Sequence, residues 1–240
     1  MIELGESSTS SFLDNLKVGV VIPAAGSGQR MEGKPKQFLQ LAGQPVLKHV
    51  LNLFLSYSWV KDLVVALPQK QFEEQPSWLN QDSKVQWVVG GATRRDSVWS
   101  AIQALSEDLD LVIVHDGARP LTSKKTIFDC VKVASEGLGA VAGTRVVDTL
   151  KATDKNNQVL KTLDRSDVWR AQTPQVFPYD VLFGAYHKAI QNDWIAGDDS
   201  IIVERAGGQV KMVECSLLNF KITFPPDLDL AEAVLACSKS

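Results

Sequence analysis

Residues 17–23 read KVGVVIP and run straight into residues 24–31, AAGSGQRM. The first run is short, β-branched and apolar at nearly every position, which fits a strand buried on both faces. The second is small-residue-rich, turns on Gly26 and Gly28, and carries the cation Arg30. A strand buried on both faces belongs to a parallel sheet with helices on each side. In such sheets ligands sit beyond the carboxyl ends of the strands, which is where the glycine loop falls.

The same alternation repeats downstream. Pro45 opens a helix marked by Val46, Val50, Leu53 and Phe54 at helical spacing. Residues 62–67 (DLVVAL) form a second strand, followed by a weak helix over 72–79. Residues 85–89 (VQWVV) form a third, ending in Gly90 and Gly91, with Val98, Ile102 and Leu105 on the next helix. Residues 111–114 (LVIV) form a fourth, ending in His115, Asp116 and Gly117, before a helix through Ile127, Val131 and Ala134. From about Thr144 the pattern changes. Two short strand-like stretches, 145–153 and 159–164, flank the polar turn DKNN at 154–157, which predicts a protruding hairpin arm over about 145–166. Helices over 179–191, 200–206 and 228–236 and a strand over 209–215 complete an α/β domain. The domain is expected to occupy 17–240, behind a flexible tail at 1–16 rich in Ser and Thr.

Composition narrows the function. Among 240 residues, 25 Lys and Arg face 28 Asp and Glu, a formal charge of −3. A near balance of this kind excludes bulk nucleic-acid binding, which needs a basic footprint, so an anionic ligand must meet a local cluster of cations. Cys130, Cys215 and Cys237 are odd in number and far apart, with neither a CxxC motif nor a His/Cys cluster, which fits a reducing cytoplasm and no zinc site. No apolar run reaches the ~20 residues that span a bilayer, so no membrane partner is expected.

Three loops on the ligand edge carry the chemistry. Residues 26–31 begin a dinucleotide fingerprint, but Met31 stands at the third glycine and Leu67-Pro68 stands where an acidic residue would hold a ribose. Residues 28–34 match most of a P-loop, yet Pro35 replaces the metal-binding Ser or Thr and removes an N–H donor. What survives is an anion nest of backbone N–H groups, with Arg30 and Lys36 supplying full charges. The loop GGATRRDS at 90–97 lets a flat base approach closely, and Ser97 offers it a hydrogen bond. The plainer alternative makes Ser97 or Asp96 a helix N-cap. Asp116, at the end of a buried strand, is placed as a hard oxygen ligand for Mg²⁺, or else pairs with Arg119 as a structural link. His49, His115 and His187 lack the partners of a triad and read as structural.

Taken in order, AAGxGxRM at 24–31 with PKQ at 35–37, GGxxRxxSV at 90–98 and HDxARP at 115–120 resemble the 2-C-methyl-D-erythritol 4-phosphate cytidylyltransferases. The likeness continues through Asp148, Thr149 and Lys151, then Asp164 and Arg165, AQTPQ at 171–175, Asp198-Asp199 and KIT at 221–223. It covers nearly everything from Lys17 onward. The resemblance implies a Rossmann-like nucleotidyltransferase fold, CTP and a polyol phosphate as substrates, Mg²⁺, and a homodimer joined through the arm. It implies that Arg30 and Lys36 stabilise the pentacoordinate α-phosphorus, and that Arg165 and Lys221 position the acceptor. Ala24, Ala25, Gly26, Ser27, Gly28, Gly91, Ser97, Asp116 and Gly117 would contact CTP, and Arg119, Thr149, Lys151 and Thr173 the acceptor. Asp116 would touch the metal, which is held mainly through the CTP phosphates. Ala92 stands where many members carry a polar residue, so one base contact would be lost or pass to the backbone. Asn219 stands where some sugar nucleotidyltransferases have a second metal-binding Asp, which argues against an all-protein metal cage.

The implied reaction needs no general base. A phosphate monoester has a second pKa of about 6 and is already ionised at pH 7. The task is to let two polyanions meet, which is electrostatic work for fixed cations. Ribitol 5-phosphate is the rival acceptor. A nicotinamide-dependent reductase and a nucleotide-binding regulator without turnover are the rivals from other classes.

Overall fold

The structure, a computed structural model, describes residues 13, 15–26, 35–74, 76, 78 and 84–237. Its strands are β1 (Val18–Pro23), β2 (Gln40–Leu41), β3 (Gln44–Pro45), β4 (Val60–Leu67), β5 (Val85–Val89), β6 (Leu111–Val114), β7 (Gly139–Arg145), β8 (Leu150–Thr153), β9 (Val159–Leu163), β10 (Trp169–Pro178) and β11 (Val210–Glu214). Its helices are α1 (Val46–Leu55), α2 (Gln69–Glu74), α3 (Arg94–Ile102), α4 (Lys124–Ser135), α5 (Tyr179–Gln191), α6 (Asp199–Arg205) and α7 (Pro225–Cys237).

Seven strands form one sheet in the order β11-β7-β10-β6-β1-β4-β5. All pairs are parallel except those of β10, which runs antiparallel to both β6 and β7. β1 lies near the middle, with Val21 level with Val64 on one side and Val114 on the other. Because side chains alternate along a strand, β1 divides its residues between two cores. Val20 and Ile22 pack with Leu47, Val50 and Phe54 of α1 and Ile127 and Val131 of α4. Val21 packs through the other face with Val98 and Ile102 of α3 and Leu182 and Tyr186 of α5. The mostly parallel, helix-flanked sheet is the one expected.

Several boundaries move. Leu13 is buried against the first core and Leu16 packs beside it, so the chain joins the domain before Lys17. α2 covers 69–74 rather than 72–79, and Leu79 lies outside the described residues. α3 starts at Arg94, before its first apolar marker, because Thr93 caps it: the Asp96 N–H donates to Thr93 Oγ1 and the Thr93 N–H to Asp96 Oδ2, each at 3.2 Å. Neither Ser97 nor Asp96 is the cap. β7 and β10 were not anticipated, and Arg145 ends β7 instead of starting the arm. The arm itself is the two-stranded hairpin β8–β9, closed by Asp154 Oδ1 accepting from the Asn156 and Gln158 N–H groups.

Candidate active site

The carboxyl ends of β1, β5 and β6 open onto one cleft of about 420 Å³. The β1 loop supplies Ala24, Ala25 and Gly26, the β5 loop Gly91 and Ala92, and the β6 loop Asp116, Gly117 and Ala118. Lys36 comes from the 3₁₀ turn Lys36–Phe38, while Lys221 and Thr223 come from the segment after β11.

Each loop is held by bonds away from the opening. The Ala24 N–H donates to Ala66 O at 2.8 Å and the Gly90 N–H to Leu67 O at 2.8 Å. Gln37, almost fully buried, donates its side-chain amide to both Ala24 O and Gly26 O. It thereby ties the turn bearing Lys36 to the glycine loop. Gly91 has no room for a side chain, since a Cβ there would lie 2.3 Å from Asp96 Cβ. Ser97 is buried on the cleft wall and donates to Thr93 O at 2.9 Å.

Asp116 is the only carboxylate lining the cleft among the described residues. Lys221 Nζ is 2.9 Å from its Oδ2, Arg119 Nε is 3.2 Å from the same oxygen, and Arg94 Nε is 3.7 Å from Oδ1. Burial works against its charge, but Lys221, Arg94 and Arg119 more than offset it and hold the carboxyl far below the usual range. Its N–H donates to Thr173 Oγ1 at 3.0 Å. Arg119, expected against a substrate, instead lies buried behind Asp116 and donates to Asn219 O at 2.7 Å. Its donors are committed to holding Asp116 and the Lys221 segment together, and the Ile222 N–H reinforces this by donating to Ala118 O at 2.9 Å. Thr173 likewise supports the Asp116 backbone from beneath.

Asn219 is fully buried with its amide spent: Nδ2 donates to Thr173 O and Oδ1 accepts from the Thr122 hydroxyl. It is therefore no metal ligand. His115 is buried, with Nε2 3.2 Å from Arg119 O, and burial pushes its pKa down to about 4. His49 Nε2 bonds Leu41 O, and His187 sits on α5.

Nine of the expected residues thus meet in the cleft: Ala24, Ala25, Gly26, Lys36, Gly91, Ser97, Asp116, Gly117 and Lys221. Ser27, Gly28 and Arg30 lie outside the described residues. Thr149, Lys151 and Arg165 sit exposed on or beside the arm and do not line this cleft; Arg165 donates to Val147 O and Lys151 to the Thr162 hydroxyl. Gln37, Thr223 and above all Arg94 are cleft residues that motif reading did not single out. Arg94 was visible as the fixed cation of the GGxxR pattern, but its buried partner Asp199 lies 105 positions away.

Comparison with known proteins agrees on one family. The profile of the 2-C-methyl-D-erythritol 4-phosphate cytidylyltransferases (IspD) matches residues 18–237. The chain is 40% identical over 225 residues to the enzyme of that name from Halalkalibacterium halodurans, covering 92% of this chain and 98% of that one. It is 42% identical over 224 residues to the one from Pelotomaculum thermopropionicum, covering 91% and 94%. Its fold is similar to the crystal structure of the Thermus thermophilus protein of that name, with a TM-score of 0.79 at 34% identity, covering 92% of this chain and all of that one. It is also similar to 4-diphosphocytidyl-2C-methyl-D-erythritol synthase from Anaerococcus prevotii, with a TM-score of 0.82 at 27% identity, covering 94% and 99%.

Proposed function

The chain belongs to the 2-C-methyl-D-erythritol 4-phosphate cytidylyltransferase family, and from that premise we propose how its cleft works. The enzyme transfers CMP from CTP to 2-C-methyl-D-erythritol 4-phosphate, a step of the non-mevalonate route to isoprenoid precursors. A phosphate oxygen of the acceptor forms a new bond to the α-phosphorus of CTP, and the bond from that phosphorus to the β-phosphate oxygen breaks, releasing pyrophosphate.

The observation that carries the site assignment is convergence. Loops after β1, β5 and β6 share one cleft with Lys36 and Lys221, two cations 185 positions apart. We assign the triphosphate to the backbone of Ala24, Ala25 and Gly26 and to Lys36. Arg30, Ser27 and Gly28 join this assignment on sequence grounds. The cytosine and ribose belong on the side of Gly91, Ser97, Asp116 and Gly117, and Lys221 faces the acceptor phosphate. Lys36 then stabilises charge that builds on the α-phosphoryl oxygens, and this group needs no reorganisation because the turn is pinned by Gln37. The acceptor is its own nucleophile, ionised at pH 7, so the reaction needs no positioned base.

Mg²⁺ fits this donor set. The ion commonly takes one or two carboxylates, with waters and substrate phosphates completing its octahedron. Asp116 would supply the carboxylate, through the Oδ1 that Arg94 approaches only to 3.7 Å. No group of three His, Cys, Asp or Glu stands ready to hold a metal unaided among the described residues. When bound, the ion offsets the negative charge of the triphosphate.

We also propose a homodimer whose arms reach the neighbouring cleft. Val159, Leu160 and Leu163 are exposed on the hairpin, and an isolated two-stranded hairpin is marginal without a partner. Arg165, Thr149 and Lys151 would meet the acceptor in the partner's cleft. No helix among the described residues is long and apolar enough to cross a membrane. With no disulfide joining Cys130, Cys215 and Cys237, we place the enzyme in a reducing cytoplasm.

The test is pyrophosphate release from CTP and Mg²⁺ with each acceptor. Release is expected with 2-C-methyl-D-erythritol 4-phosphate. Release with ribitol 5-phosphate alone would overturn the acceptor.

A further inference from the structure

Arg94 opens α3 and reaches across to the start of α6, where Asp199 is wholly buried. Its two terminal nitrogens each bond one Asp199 oxygen at 2.7 Å, a planar two-pronged pair. The Tyr186 hydroxyl donates to the same carboxylate at 2.5 Å, and the Tyr186 ring lies parallel to Trp99 of α3. With its far end fastened, the guanidinium presents Nε toward Asp116 Oδ1, 3.7 Å away on the cleft floor. Arg94 is thus shared between two carboxylates, tightly with the fully buried Asp199 and loosely with Asp116, which borders the cleft.

The stability of the fold does not by itself call for such a device. A buried ion pair commonly breaks even against well-packed apolar side chains. The pair lies against the cleft, and the loose end of Arg94 meets the residue that organises the cleft. If Asp199 lost its charge, Arg94 would have only Asp116 to neutralise it, and the 3.7 Å gap would close. Asp116 Oδ1 would then turn from the cleft toward α3.

We propose that Asp199 is a positioning residue for nucleotide binding, acting through Arg94 to keep Asp116 open to CTP; Tyr186 fixes its orientation. The proposal rests on the placement of CTP in this cleft. It adds a residue that touches no substrate and sits outside the cleft lining.

Steady-state pyrophosphate release on the full-length chain tests it, with CTP and 2-C-methyl-D-erythritol 4-phosphate varied in turn. The variants are Asp199→Asn, Arg94→Gln, their double, and Tyr186→Phe. Asp199→Asn is expected to raise KM for CTP on the order of ten-fold, in line with the cost of small misplacements at a reacting centre. KM for the acceptor should stay within about two-fold. In the Arg94→Gln background the same change should add less than about two-fold, because residues acting through one another are not additive. Tyr186→Phe leaves the ion pair in place and should raise KM for CTP by about three-fold, a test that survives even if Asp199→Asn does not fold. Equal rises in both KM values, full additivity in the double variant, or an unchanged KM for CTP in Tyr186→Phe would each overturn the proposal. An inactive wild type would overturn the functional reading and the proposal together. An active wild type whose Asp199→Asn variant keeps its KM for CTP overturns the proposal alone.

Discussion

Lys221 Nζ rests 2.9 Å from Asp116 Oδ2, joining the segment after β11 to the loop after β6 by one ion pair at the cleft floor. Arg119 shares the same oxygen from behind, with both its own and the Asp116 side chain about one-tenth exposed. Asp116 is therefore the counter-ion that lets three cations approach one another. Asp116→Asn keeps the shape and an acceptor but removes the negative charge, leaving the buried Arg119 guanidinium without its counter-ion. The expected loss is about 3 kcal/mol of stability, since an uncompensated buried charge is costly. Urea unfolding at pH 7.5 measures it, and an unchanged midpoint would show that Asp116 is no keystone.

Lys36 also lines the cleft, on a turn that Gln37 ties to Ala24 and Gly26. If its charge acts mainly on the transition state, Lys36→Ala should lower kcat on the order of 10²–10³ with a much smaller change in KM for CTP. A rise in KM at unchanged kcat would make Lys36 a ground-state binding residue instead.

Among the strands read from sequence, β1, β4, β5 and β6 are mainly apolar, β-branched runs, as parallel strands flanked by helices tend to be, although β4 carries Lys61 and Asp62 and the edge strand β5 carries the exposed Gln86. β7 and β10 hid for physical reasons. β7 reads GAVAGTR, and its glycines answer crowding: a Cβ on Gly139 would lie 2.8 Å from Phe177, and one on Gly143 would lie 2.5 Å from Met212 and 2.8 Å from Arg170 O. β10 carries Gln172, Thr173, Pro174 and Gln175, a polar run with a proline that demotes a strand on sight. The register with β7 slips between Ala171 and Gln175, where the chain leaves the ladder and Thr173 accepts from the Asp116 N–H. The cleft was legible where its residues cluster in motifs at strand ends. The Asp116–Arg119 link was legible at a spacing of three residues and holds at 3.2 Å. The bonds from Arg119 to Asn219 O and from Arg94 to Asp199 were not, because those partners are set by tertiary packing about a hundred positions away.

Two glycines of the cleft separate packing from ligand approach. A Cβ on Gly91 would meet Asp96 Cβ at 2.3 Å and Asp96 backbone at 3.1 Å, so Gly91→Ala must push the loop off the capped start of α3. It should lower stability by about 1–3 kcal/mol and raise KM for CTP together. Among the described residues, a Cβ on Gly26 meets nothing within 4 Å. Gly26→Ala should leave the melting temperature nearly unchanged yet raise KM for CTP, because the methyl would fill space the triphosphate backbone contacts need. Thermal melts and CTP kinetics on both variants check this. A Gly26→Ala enzyme with normal KM would move the triphosphate off the β1 loop.

His115 gives the fold an acid limit. Burial, the largest influence, takes its pKa from 6.5 down to about 4. Between those values the unfolded chain binds more protons than the folded one, so stability rises with pH across the window. The contribution is complete above pH 6.5 and is lost as pH falls toward 4, up to about 3 kcal/mol in all. Asp116 acts in a lower window, because its stabilisation is lost only as pH falls below the ordinary carboxylate value of 3.8. Urea midpoints of the wild type should therefore fall from about pH 7 to about pH 4.5. In His115→Gln, which keeps a donor for Arg119 O, the slope should flatten even if the starting stability is lower. Parallel slopes in the two proteins would remove His115 as the cause.

Arg165 and Lys36 do not meet within one chain: Lys36 lines the cleft, while Arg165 stands exposed beside the arm, bonded to Val147 O. If arms exchange between subunits, each site draws Lys36 from one chain and Arg165 from the other. Lys36→Ala and Arg165→Ala homodimers would then each be impaired at both sites. In a mixed dimer one site inherits both lesions and the other inherits neither. Random mixing of equal amounts makes about half the dimers mixed, so about a quarter of all sites should be intact. Pyrophosphate release should recover toward that fraction of wild-type turnover, with differently tagged chains used to verify the mixed species. If each arm served its own cleft, every site would carry one lesion and no activity would return.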